Sequence, residues 1–183
     1  MNDDYYDDEV LDFLRDDERT VVFIDGASLY SASSKLQIPV DYKKLLSLFR
    51  DNTNLIRVYY YTVVTDGAEH DPLRRLVDFL DYSGYTIVSK LRDGDRYRKG
   101  SMDVDLTIDM LRMAPNVDHI VLMSGEGDFK RVVAEVQRSC RVTVISGMHL
   151  IADELRRQCD QYIDLKELRM FIKRDYKEEE MAS

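Results

Sequence analysis

The chain has only two cysteines and three histidines in 183 residues, and no apolar run approaching the length needed to span a bilayer. Each shortage removes a class of protein. Cys140 and Cys159 lack the close pairing of a metal knuckle and the density of a secreted disulfide scaffold, so they read as reduced thiols. His70, His119 and His149 are scattered along the chain, which leaves a histidine-rich zinc site and a histidine-based triad without support. The N-terminal "MNDDYYDDEV" is acidic where a signal or transit peptide is basic or apolar, and the expected location is cytoplasmic, with no membrane partner.

Basic charge is also scarce, the formal net charge being −9. That balance argues against a polyanionic partner until its distribution is considered. Residues 1–18 hold nine acids against Arg15, a local charge of −8, and Lys173–Ser183 contributes about −1, so the body between them is near neutral. A neutral body can carry a basic rim.

The length suits one domain with a real core. Three segments are expected: an acidic, disordered stretch at 1–18, a folded domain at 19–168 and a charged tail at 169–183. Within the first, "EVLDFL" can form an amphipathic turn or two, and its apolar residues leave a homodimer open. The acidic stretch could also fold back over a basic rim as an autoinhibitory mimic of a polyanion.

From Thr20 onward short apolar runs alternate with helical patterns. "TVVFID", "LIRVYYYTVV", "YTIVSK", "HIVLMS" and "RVTVIS" read as strands. Between and after them "YKKLLSLF", capped by Asp41, "DPLRRLVDFLDYSG", "DFKRVVAEVQRS" and "IADELRRQ" read as helices. This rhythm, with strands apolar on both faces, specifies an α/β fold with a parallel sheet wrapped by helices. "MDVDLTID" alternates like a strand, but its continuation "MLRMA" and the need for a crossover before the fourth strand favour a helix. Such a helix carries two apolar stripes, Val104/Ile108/Leu111 and Leu106/Met110/Met113, and is expected to be buried on two sides.

A parallel sheet collects its strand C-termini on one edge, where ligands bind. Asp25 follows the first strand, and Glu126 and Asp128 follow the fourth in "SGEGD". Asp103, Asp105 and Asp109 lie in the segment after the third. On a helix Asp105 and Asp109 share a strip with Arg112, whereas Asp103 sits at the N-terminal end near the strand termini. Two carboxylates about 4 Å apart repel by roughly 4 kcal/mol at an effective dielectric near 20. A hard cation compensates, and Mg²⁺ or Mn²⁺, favouring carboxylate and water oxygens, could polarise a phosphate or activate water against it. Each acid also has a plainer reading: Asp128 before "FKRVV" as a helix cap, Asp25 before Gly26 as a turn, and Asp109 near Arg112 as a surface pair.

The motifs "VVFIDGASLY", "RKGSMDVDLTIDML" and "LMSGEGDFKRVVAEV", in this order and spacing, resemble the NYN-domain family and specifically its LabA-like branch, over roughly residues 20–168. The resemblance implies a PIN-like nuclease fold, a three-layer α/β/α sandwich of strand order 3-2-1-4-5, with an acidic pocket that binds Mg²⁺ or Mn²⁺ and, in active members, hydrolyses RNA. It implies Asp25, Asp103 and Asp128 as metal ligands and catalytic residues and Asp109 as a further acid of the site; Glu126 is expected to assist, and Ser28 and Asp105 are additional candidates by position. Two positions depart from the family pattern: Ser28 stands where Asn is usual, and Glu126 where Asp is usual. Around this pocket "SKLRDGDRYRKG" supplies Lys90, Arg92, Arg96, Arg98 and Lys99 with Tyr97 interleaved, a pattern suited to phosphate contacts and base stacking on single-stranded RNA or equally to a solvated loop. Lys130 could extend the rim or serve simply as a helix-surface residue. The expected function is a metal-dependent endoribonuclease, the alternative an NYN module that binds RNA or a protein without cutting.

Overall fold

The structure, a computed structural model, describes residues 9–65, 72–92 and 102–175. Six parallel strands form one sheet: β1 (Arg19–Asp25), β2 (Asn54–Thr65), β3 (Thr86–Arg92), β4 (His119–Met123), β5 (Arg141–Ser146) and β6 (Gln161–Asp164), in the order β3-β2-β1-β4-β5-β6. The expected order of the first five is present. β6 extends it at the β5 edge, a four-residue strand too short for alternation to reveal.

Strand periodicity builds the two outer layers. Val22 and Ile24 of β1 face one cluster with Val58, Tyr60, Val121 and Ile145, covered by α1 (Gly26–Leu36), α2 (Tyr42–Asn52) and α3 (Pro72–Ser83). Val21 and Phe23 face the other with Ile120, Leu122 and Val144, covered by α4 (Asp103–Met113), α5 (Lys130–Val136) and α6 (Asp153–Gln158). β1 and β4 are consequently fully buried along their apolar runs, as strands sandwiched between helix layers must be.

Local signals act where they are written. Asp41 caps α2 by accepting from the N–H groups of Lys43 and Lys44 at 2.9 and 3.1 Å. Gly84 closes α3 at φ 105°. "MDVDLTID" is helical, but only its Leu106/Met110 stripe is buried; Val104, Ile108 and Leu111 face solvent. The helix is therefore buried on one side, not two, because α4 lies on the surface of its layer.

The segment ends differ from expectation. Residues 9–18 are not a detached acidic stretch: Phe13 and Leu14 are buried in the first cluster. Arg141 ties this segment down, its Nε donating to Glu18 at 2.7 Å and its Nη2 to the Phe13 carbonyl at 2.7 Å. Four apolar side chains with a socket outweigh the charge density that composition reports. At the other end α7 (Arg169–Ile172) buries Ile172, Val40 bridges Lys173, and Lys44 pairs with Asp175 at 2.8 Å. The chain thus stays on the body to 175. Among the described residues no helix is long and apolar enough to cross a membrane.

Candidate active site

β1 is the strand from which the chain moves first to one side of the sheet, to β2 and β3, and later to the other, to β4. The C-terminal edge between β1 and β4 is the topological switch point, where helices diverge and leave a crevice. Asp25 ends β1 there, and Ser124 follows β4.

Asp25 is both a helix cap and the centre of a hydrogen-bond cluster. Its Oδ1 accepts from the N–H groups of Ala27 and Ser28 at 3.1 and 3.3 Å, which caps α1. Its Oδ2 accepts from the hydroxyls of Ser28 at 2.6 Å and Ser124 at 3.1 Å. Ser124 Oγ in turn receives the N–H of Glu126 at 3.3 Å, so the turn after β4 is keyed to the end of β1.

Glycines bring these segments together. A Cβ on Gly26 would lie 2.8 Å from the buried Tyr60 ring, which would have to shift to admit it, so glycine lets α1 start close against that aromatic wall. A Cβ on Gly125 would lie 2.2 Å from the Leu150 carbonyl oxygen, and the Gly125 carbonyl accepts from Ala152 N–H at 2.9 Å. The turn that carries Glu126 is thereby pinned to residues 150–152.

The result is a cleft of about 650 Å³ whose walls include Asp25, Ser28, Asp103, Glu126 and Tyr60. Burial raises the Tyr60 phenol well above its ordinary pKa, with neighbouring Tyr42 and Asp25 adding to the effect, so it remains a neutral hydroxyl. Asp103 enters from the first turn of α4, at the end nearest the strand termini, as its helical position suggested. Tyr30, Lys35, Thr62 and Ser124 had not been singled out from sequence; for Ser124 the signal was available, since it is the first residue after "HIVLM".

Other expected residues fall elsewhere. Asp128 is exposed in the 3-10 turn Gly127–Phe129 and is absent from the cleft wall. It does not cap α5, whose N-cap is Phe129. Asp109 accepts from the Tyr61 hydroxyl at 2.9 Å and lies 3.7 Å from Arg112, while Asp105 pairs with Lys90. Burial, and after it the Asp109 carboxylate, push the Tyr61 pKa up. Lys130 is exposed at the start of α5, outside the cleft wall. Arg92 ends β3, and Arg96, Tyr97, Arg98 and Lys99 lie outside the described residues.

Whether these residues suit a cation is a question of donor chemistry. The groups around Asp25 are carboxylate and hydroxyl oxygens, the donor set of Mg²⁺ or Mn²⁺ rather than of zinc. Among the described residues no three His, Cys, Asp or Glu side chains are grouped to hold an ion between them. The fit is therefore to a hydrated ion taking one or two carboxylates, the usual habit of magnesium, and not to a closed protein cage. The four acceptor positions of Asp25 are filled by four internal donors, two of them hydroxyl rotors that can turn away.

The NYN domain profile matches residues 19–166, from the start of β1 to just past β6. The chain belongs to the NYN-domain family. The chain is 33% identical over 176 residues to the low amplitude and bright protein LabA of Synechococcus elongatus, covering 90% of this chain and 93% of that one. That similarity places the NYN domain on the LabA-like branch. A crystal structure of a protein of unknown function from Vibrio parahaemolyticus superposes with a TM-score of 0.70 at 24% identity, covering 85% of this chain and 96% of that one, which bears on the fold alone. The NYN family places the chain in the PIN-like nuclease superfamily, whose members typically use divalent metals.

Proposed function

We propose that the protein is a divalent-metal-dependent ribonuclease of the cytoplasm that hydrolyses phosphodiester bonds in single-stranded RNA. The reading is carried by one observation: Asp25, Asp103 and Glu126, distant in sequence, line a common cleft at the C-terminal edge of β1 and β4. Asp25 and Asp103 would hold the ion, Glu126 would assist through its longer reach, and Asp128, one turn away, would act on the ion through water. When bound, Mg²⁺ or Mn²⁺ supplies Lewis-acid polarisation of the phosphate and a more acidic water. The chain's own groups then orient the phosphodiester, and whichever of the Ser28 and Ser124 hydroxyls has not turned away for the ion holds the Asp25 carboxylate in place. Lys90 and the basic residues after β3 would offset charge on the scissile phosphate.

Purified protein with Mn²⁺ and end-labelled single-stranded RNA tests this. Cleavage is expected for wild type, with a loss of about 100-fold or more in Asp25→Asn, in keeping with the usual cost of removing an electrostatic stabiliser. Equal cleavage by wild type and Asp25→Asn would assign the activity to a contaminant.

A second reading is favoured by the saturation of Asp25 and by Ser28 and Glu126: a regulatory NYN module that binds RNA or a protein without cutting. It predicts salt-dependent RNA binding without cleavage in any metal, and a gain of cleavage on combining Ser28→Asn with Glu126→Asp.

A further inference from the structure

α1, which starts from the Asp25 cap, continues along the cleft wall with Tyr30 and Lys35, and Tyr30 is an aromatic residue left largely in water. Tyr30 is 74% exposed, yet it lines the acidic cleft and also a second groove of about 670 Å³ on its far side. Exposure of a single tyrosine is ordinary, but this ring belongs to the walls of both concavities and offers a flat stacking face where they meet. The first cleft gathers Asp25, Asp103 and Glu126, with Lys35 on the α1 side. Among the described residues the wall of the second groove carries no carboxylate; it includes Ser33, Ser34, Gln37, Pro39 and the exposed Arg169 of α7.

The second groove is held in shape by the chain itself. Gln37 closes α1 in the left-handed region at φ 54°, and Ser33 Oγ donates to the Ile38 carbonyl at 2.6 Å, fixing the turn that forms the groove floor. The helix C-terminus that this turn ends is the negative end of a dipole, yet Lys35 and Arg169 flank it and offset that charge.

We propose that the two concavities form one track for a single-stranded nucleic acid: a base stacks on Tyr30 beside the acidic cleft, Lys35 meets the adjacent phosphate, and the strand continues through the second groove to Arg169. Every base presents a π face, so an exposed tyrosine serves any sequence, while the two cations follow the backbone. A duplex, whose bases are already stacked, cannot use Tyr30 in this way. The track rests on the nuclease reading for its class of ligand and adds where the strand runs.

The test uses the full chain, Ca²⁺ in place of Mn²⁺, and fluorescence anisotropy with a labelled 12-nucleotide RNA, a DNA of the same sequence and an RNA trinucleotide. Tyr30→Ala should weaken the 12-mers about tenfold and Tyr30→Phe should restore them, in both the RNA and the DNA arms if stacking is the contact. Arg169→Ala should weaken the 12-mers, lower their salt slope by about one and leave the trinucleotide unchanged. Both side chains are exposed, so an unchanged thermal midpoint checks that the variants are folded. If wild type binds the 12-mers and both alanine variants bind them equally well, the track is wrong while the nuclease reading survives. If wild type binds none of the three oligonucleotides, both fall.

Discussion

At the scale of single residues, the site depends on where side chains are absent as much as on where they are present. Gly125 is packed so closely against the Leu150 backbone that its hydrogen occupies the only space available. Gly125→Ala would put a methyl group 2.2 Å from a carbonyl oxygen that belongs to the backbone and cannot rotate aside. The turn would have to move, at a cost of about 1–3 kcal/mol by analogy with overpacked cores, and Glu126 would move with it. Denaturant unfolding should report that loss, and an alanine variant as stable as wild type would mean that the turn is free to shift. Asp25 shows the complementary case. One residue serves as helix cap, hydroxyl acceptor and cleft acid, which is why the plain reading of a turn or cap and the reading of a functional acid were both legitimate from sequence.

At the scale of elements, α4 separates what burial and exposure each contribute. Leu106 is buried against the sheet, whereas Ile108, two positions on, is exposed on the opposite side of the helix. Leu106→Ala should cost about 2–5 kcal/mol and Ile108→Ala should cost no more than about 1 kcal/mol, since only the first leaves a cavity. Comparable losses at both positions would indicate that something covers the outer stripe in solution. Helix periodicity in the sequence identified both stripes, yet periodicity cannot say whether a second layer exists beyond the helix. For the same reason the caps at Asp41 and Gly84 and five strands were legible, being local signals, while β6 and the docking of Phe13 and Leu14 were not. Those depend on a neighbour: β6 on the edge of β5, and the two side chains on a socket in the first cluster. In the cleft, Asp25, Asp103 and Glu126 could be anticipated because each follows a strand or opens a helix at the switch-point edge. Tyr30 and Lys35 could not, since only the three-dimensional path of α1 turns them toward that edge.

At the scale of the whole molecule, the two ends of the sheet have different tasks. The C-terminal edge holds the cleft; the N-terminal edge is a charged seam of Glu18, Arg19, Asp118, His119 and Arg141. Residues 9–18 are fastened to that seam, so the described part of the acidic segment lies across the sheet from the cleft and does not cover it as an internal mimic of a polyanion. His119 is fully buried there, with Nε2 2.8 Å from the Thr143 hydroxyl. Burial, reinforced by Arg141 and Arg15, lowers its pKa to about 3. In the unfolded chain the imidazole binds a proton below about pH 6.5, so the unfolded state takes up more protons than the folded one between pH 6.5 and 3. Stability from this group is complete above about pH 6.5 and is lost progressively as pH falls toward 3. Urea unfolding should show about 2 kcal/mol less stability at pH 5 than at pH 7 from this source, and His119→Gln should remove that part of the difference. An undiminished pH dependence in the variant would move the effect to the carboxylates of the seam.

The proposed function requires that carboxylates from separate parts of the chain share one hydrated divalent ion in the cleft lined by Tyr60. Crystals soaked in Mn²⁺ and measured for anomalous scattering test it most directly. A single strong peak is expected in the cleft, bound to Asp25 directly or through water and within reach of Asp103, with the Ser28 or Ser124 hydroxyl turned away from Asp25. An empty cleft at saturating Mn²⁺, with Asp25 still holding both serines, would contradict it.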